Sequence, residues 1–249
     1  MGYVWLDIVS EFGGLHLTHE SDRLPALSGL AYEFSNRSLG LYITDIWEHD
    51  LTRGLLFETV TPGESLASNP TQPSAPSWSW AAGYLAGTKR ISYELMLRDD
   101  VIQDSRFCLM GIFWTPHASS PFTWVEHGQL QVKGACTMAR ILVKYSASGE
   151  HLSRKFVLEV GGVSSIIPMR SFINDFYIQH LDDTPLYCLL VGRQLDSEGN
   201  DGRYKISEYI LVLHKECAEL NTYKRVGLLL IRDESCSIRN EPVLTVLLS

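Results

Sequence analysis

Apolar positions in the first sixty residues recur at helical spacing. Over residues 22–34 they fall at Leu24, Leu27, Leu30, Ala31 and Phe34, which share one face of a helix; Ser21 or Asp22 stands where a cap belongs, and Pro25 suits the first turn. Leu41, Ile43, Ile46, Trp47, Leu51 and Leu55 follow mainly at three- and four-residue intervals, with Asp45, Glu48, His49 and Arg53 as the polar side. That pattern predicts a second amphipathic helix over 41–56.

From residue 89 the period shortens. Stretches 89–97, 107–114, 128–136, 139–145, 155–160, 185–193, 205–214, 223–232 and 243–248 are rich in β-branched and aromatic residues, and in Gln129-Leu130-Gln131-Val132-Lys133 polar and apolar residues alternate cleanly. Alternation of that kind predicts a half-buried strand with one wet face, as antiparallel sheets allow. Turn chemistry sits at Ser148-Gly149, Gly161-Gly162 and residues 198–202, and one helix is expected near 169–175. No repeat of 20 to 50 residues is visible, which disfavours solenoids and propellers. The expectation is a single α+β domain over 1–249: a helical N-terminal part, 1–88, packed against an antiparallel β-barrel-like body, 89–249.

Composition narrows the classes of partner. With 249 residues, 45% of them hydrophobic, the chain has enough apolar material for a sizeable core. The formal charge of -8, with 21 Lys and Arg scattered thinly, argues against nucleic acid, which needs a clustered basic surface. The cysteines Cys108, Cys136, Cys188, Cys217 and Cys236 are odd in number and widely spaced, with no C-x-x-C pair, so they read as reduced, mostly buried thiols. No apolar run approaches about 18 residues and no leader pattern opens the chain, so the expectation is a cytoplasmic protein without a membrane anchor.

Two stretches are specific. Residues 22–31, Asp-Arg-Leu-Pro-Ala-Leu-Ser-Gly-Leu-Ala, precede Pro76-Ser77-Trp78-Ser79-Trp80-Ala81, with Tyr42-Ile43-Thr44-Asp45-Ile46-Trp47 and Leu55-Leu56-Phe57 between them. Together they resemble the C-terminal region of fungal heterokaryon incompatibility (HET) domain proteins. Val4-Trp5-Leu6-Asp7-Ile8-Val9 resembles the family's lead-in, and residues 204–231 its closing hairpin, so the likeness covers roughly 4–232 and is most specific in the first 82 residues. Phe57 stands where the family usually has Trp, and the Pro/Ser/Thr-rich residues 59–74 replace a short basic connection. The family's signalling module precedes this region and does not fit before residue 22, so the likeness implies a HET-like chain without that module, and with it without the incompatibility output.

Candidate chemistry is sparse. G-x-S-x-G, H-E-x-x-H and G-x-G-x-x-G are all missing, so nucleotide enzymes, zinc hydrolases and bound cofactors lose support. The histidines lack carboxylate or cysteine partners at metal-ligand spacing, and no metal is expected. His117 and His127 frame an aromatic, proline-containing segment with Trp114 and Trp124, where an acid or base could sit; the plain alternative is a hairpin with solvated histidines. Asp45 and Glu48, one helical turn apart beside Trp47, are the best acid candidates. In an extended segment Trp78 and Trp80 would point to one side and Ser77 and Ser79 to the other, making a flat indole wall extended by Tyr84 and Tyr93. Such a wall either plugs a core or stacks on a ligand.

Two functions follow as expectations. The first is a cofactor-independent cyclase or pericyclase of fungal secondary metabolism, Diels-Alderase-like. It would fold a reactive apolar small molecule against Trp47, Trp78, Trp80, Tyr84, Tyr93, Trp114 and Trp124, with Asp45, His117 and His127 as the titrating groups. The second is a non-catalytic interaction or regulatory module of the incompatibility system, whose partner is a HET protein or a second copy of the chain. An enzyme would line a deep pocket with those tryptophans; a module would bury them or set them on a flat patch.

Overall fold

The computed structural model describes residues 2–15, 17–19, 22–36, 40–60, 75–83, 90–93, 101–116, 125–148, 151–160, 163–166, 172–173, 186–196, 205–217, 220–231 and 237–249. The fold is mixed α+β with strands predominant. The chain forms two compact units: 1–99 with 111–131 and 248–249, and 100–110 with 132–247.

The first unit holds all three described α-helices, α1 (Gly2–Gly13), α2 (Arg23–Ser35) and α3 (Leu51–Gly54). Helix α1 buries Trp5, Leu6 and Val9, a one-and-four spacing that puts them on one face. Helix α2 lies where the periodicity places it and buries Leu24, Leu27 and Ala31; Asp22 precedes it without a side-chain cap. The helix expected over 41–56 is instead a hairpin followed by helical turns. Strands β1 (Tyr42–Ile43) and β2 (Ile46–Trp47) pair antiparallel, a 3-10 turn covers Glu48–Asp50, and α3 follows. Thr44 takes the left-handed region at φ 63, and the Asp45 N–H donates to the Ile43 carbonyl at 2.6 Å. A continuous helix excludes both. Apolar side chains of a hairpin buried on both faces mimic helical spacing, which is why periodicity misassigned it. Strands β3 (Glu58–Val60) and β4 (Arg90–Ser92) form a further small sheet.

The second unit is built on the large sheet. Its strands include β5 (Val101–Gln103), β8 (His151–Val160), β9 (Val163–Ile166), β10 (Phe172–Ile173), β11 (Leu186–Asp196), β12 (Lys205–Cys217) and β13 (Thr222–Ile231). Strands β6 (Cys108–Pro116), β7 (Val125–Ser148) and β14 (Val243–Leu248) each have residues in both units. The order runs β5-β11-β12-β13-β14-β7-β8-β9, and β11 also pairs with β7 through Leu186–Ala139 to Leu189–Cys136. Thus β11, β12, β13, β14 and β7 close a ring. Alternate residues such as Leu186, Cys188 and Leu190 on β11, and Ile210 and Val212 on β12, enter one buried cluster with Leu229.

Several boundaries differ from the periodicity. Stretches 128–136 and 139–145 are one strand, β7, because Ala and Cys at 135–139 interrupt the alternation without breaking the ladder. The helix expected near 169–175 is corrected over its described residues: Phe172 and Ile173 pair as a strand with Leu228 and Gly227. The pairings Ser148–His151 and Val160–Val163 bracket two of the expected turns, whose tips, with residues 198–202, lie outside the described residues.

Candidate functional site

The residues singled out around Asp45 and the Trp-Ser-Trp run meet inside the first unit. Asp45 is only 2% exposed, and its Oδ2 accepts the Ser79 hydroxyl at 3.0 Å and the Trp80 backbone N–H at 3.1 Å. Its backbone carbonyl accepts the Trp5 indole N–H at 3.0 Å. Ser79 Oγ in turn accepts the Ala81 N–H at 3.1 Å. One carboxylate therefore ties the β1–β2 turn to the Trp-Ser-Trp segment, while its backbone ties the same turn to α1.

That segment is not the extended strand that alternation of its side chains assumed. The Ser79 N–H donates to the Pro76 carbonyl at 2.9 Å, and a 3-10 turn runs through Trp80–Gly83. Turn geometry follows from Ser79 holding the Ala81 N–H and from Asp45 holding the Trp80 N–H, both of which compete with a strand ladder. Ser77 donates both its N–H, at 3.0 Å, and its hydroxyl to the Ser249 carbonyl.

The aromatic rings form a core. Trp47, Trp78 and Trp80 are 1%, 0% and 0% exposed, and Tyr93 is buried. Trp5 packs edge-on against Tyr42 at 5.6 Å and Trp47 at 5.7 Å, and Tyr42 lies 4.8 Å from Trp47. Phe12 meets Trp80 at 6.3 Å. Tyr93 donates its hydroxyl to the Gly54 carbonyl at 3.1 Å, and its N–H goes to Ser10 Oγ at 3.2 Å. Burial pushes the Tyr42 hydroxyl well above its ordinary pKa, and the neighbouring Asp45 charge adds to the shift. Gly128 is placed where a Cβ would come within 2.6 Å of Pro76 and 3.3 Å of Trp78, so the tryptophan segment lies directly on glycine backbone.

Asp45, Trp47, Trp78 and Trp80 are thus brought together, while Tyr93 is buried in the same unit against Gly54, Ser10 and Phe57. Trp114, on β6, is half-buried and joins none of the described ring contacts. His117, Tyr84 and Trp124 lie outside the described residues, and His127 is placed on β7 without a described side chain. Trp5 and Tyr42 complete the aromatic cluster although sequence reasoning did not single them out; the spacing of Trp5, Leu6 and Val9 was the available signal.

The Asp45 carboxylate is buried and accepts two fixed donors, an arrangement that holds the β1–β2 turn to the Trp-Ser-Trp segment. Among the described residues, the buried indole N–H groups of Trp47, Trp78 and Trp80 have no acceptor. Among the described residues, no group of three His, Cys, Asp or Glu stands close enough to hold a metal, and no helix is long and apolar enough to cross a membrane. No family model, curated protein or solved structure matches this chain.

Proposed function

We propose that the chain is a non-catalytic interaction module of the fungal heterokaryon incompatibility type. One observation carries the reading: Trp47, Trp78 and Trp80 are core side chains knit through Asp45, so the segment most like the HET C-terminal region serves to build a scaffold rather than to line a cavity. The resemblance of residues 22–31 and 76–81 to that region supplies the biological setting. The closed ring of β11, β12, β13, β14 and β7 supports a barrel-like body for the second unit. Its partner would be a HET protein or a second copy of the chain.

The test is co-expression of the chain with a full-length incompatibility protein in a fungal background, followed by size-exclusion chromatography and scoring of viability on hyphal fusion. A complex together with altered viability supports the module. Two separate elution peaks with unchanged viability sink it. The cyclase reading retains one supporting observation, the three indole N–H groups that have no acceptor among the described residues and could hydrogen-bond a substrate carbonyl once the core opened. An isomeric shunt product accumulating only on deletion of the chain would restore that reading.

A further inference from the structure

We propose that β6 (Cys108–Pro116) is a dimerisation edge, along which a second copy of the chain adds its own β6 in antiparallel; this rests on the reading of the chain as an interaction module and names the surface it uses. Strand β6 has nine residues and pairs with β7, and no second strand flanks it among the described residues. In an edge strand every second backbone N–H and C=O points away from the neighbour and is left for another chain. Every other strand with a single described neighbour has only two to four residues. Edges that short are protected by their length; β6 is not.

No residue from Cys108 to Thr115 is buried, on either face of the strand. Met110 is 56% and Phe113 54% exposed, and Leu109, Ile112 and Trp114 are half-buried. Met110 and Phe113 are three positions apart, so they stand on opposite faces. The Phe113 ring leans along the strand over Gly111, where a Cβ would meet it at 3.4 Å. Natural edges are blunted by charged side chains or proline, and neither stands between Phe107 and Thr115.

Charge, symmetry and area select a second copy as the occupant. Residues 107–116 carry no charge, so self-pairing sets no like charges opposite one another in any register, although the chain as a whole carries -8. Antiparallel pairing of one edge with itself is two-fold, uses up both edges and stops at two chains. A buried aromatic side chain covers about 150–250 Å², so Phe113 has about 100 Å² left to cover; with Met110 and the half-buried positions each copy offers about 400 Å², and the pair about 800 Å². That lies below the roughly 1,200 Å² of stable complexes, so the dimer is weak and forms at micromolar or higher concentration.

The experiment is sedimentation velocity on the full chain across a range of micromolar concentrations, with hydrogen exchange of the β6 amides measured on the same samples. A shift from monomer to dimer with no larger species, and protection of residues 109–115 that grows with concentration, support the edge. Phe113→Lys, which alters both copies, should weaken the dimer about tenfold or more, while Val163→Lys, on the short edge β9 and 43% exposed, should leave it unchanged. A monomer at every concentration overturns the inference, as do growth past the dimer and β6 protection that does not change with concentration. The exchange comparison needs no variant, so it decides even if Phe113→Lys fails to fold. A monomer here alongside a complex in the co-expression test would remove this edge and leave the module reading standing.

Discussion

At the scale of the residue, Asp45 determines how the aromatic core is held. Its Oδ2 meets two donors in a buried setting, and removing it leaves the Ser79 hydroxyl and the Trp80 N–H without that acceptor. Each orphaned buried group costs about 1–3 kcal/mol. Asp45→Ala should therefore lower stability by about 2–4 kcal/mol in urea titration, and Asp45→Asn, which keeps one oxygen, by about half as much. A loss below about 0.5 kcal/mol for the alanine variant would show that the node is dispensable. Gly128→Ala tests the other side of the segment. A Cβ there must displace Pro76, and a cost of about 1–3 kcal/mol is expected from the same titration. Asp45, Trp47, Trp78 and Trp80 stand out by residue type alone, but their roles do not. Asp45 seemed an acid on a helix only because the hairpin's spacing imitates one.

At the scale of the element, turns and strand centres carry the checkable consequences. Asn221, in the turn before β13, sits in the left-handed region at φ 49 and is exposed. Asparagine and glycine tolerate that backbone better than alanine. Asn221→Ala should cost about 0.5–1 kcal/mol and Asn221→Gly close to nothing, measured by thermal unfolding. On β7 and β11 the thiols of Cys136 and Cys188 are buried, and burial pushes Cys136 up to about 12 and Cys188 higher still. Thiolate, not thiol, attacks alkylating reagents. Mass spectrometry after iodoacetamide at pH 8 should find Cys108, half-buried on β6, modified in the folded chain, and Cys136 and Cys188 modified only in denaturant. Labelling of all three at one rate would show that the second unit opens readily. Strands β11 to β14 were legible because β-branched runs alternate between turn residues. The 24-residue β7 was read as two strands because small residues at its middle weaken the pattern.

At the scale of the whole molecule, charge linkage sets a pH dependence. His214 on β12 has its pKa lowered from 6.5, mainly by burial and further by Lys224, with Glu216 opposing. The unfolded chain then binds the proton more readily, so this group adds stability that is complete above pH 6.5 and is lost as pH falls through the lower folded value. His214→Gln should flatten the rise in urea midpoint between about pH 5 and pH 7. An unchanged slope would place the linkage elsewhere. By itself the sequence determined which segments are helical or extended where one face is apolar: α2, β11 to β14 and the alternating part of β7. It also singled out Trp47, Trp78 and Trp80 of the aromatic core, though not Trp5 and Tyr42, which complete it. Only the tertiary structure decided that the strands close a ring, that Asp45 accepts from Ser79 and Trp80, and that Arg106 and Arg193 share Asp104. Those pairings join positions as much as about a hundred residues apart, and local period carries no information about which distant partners satisfy a buried charge or a free strand edge.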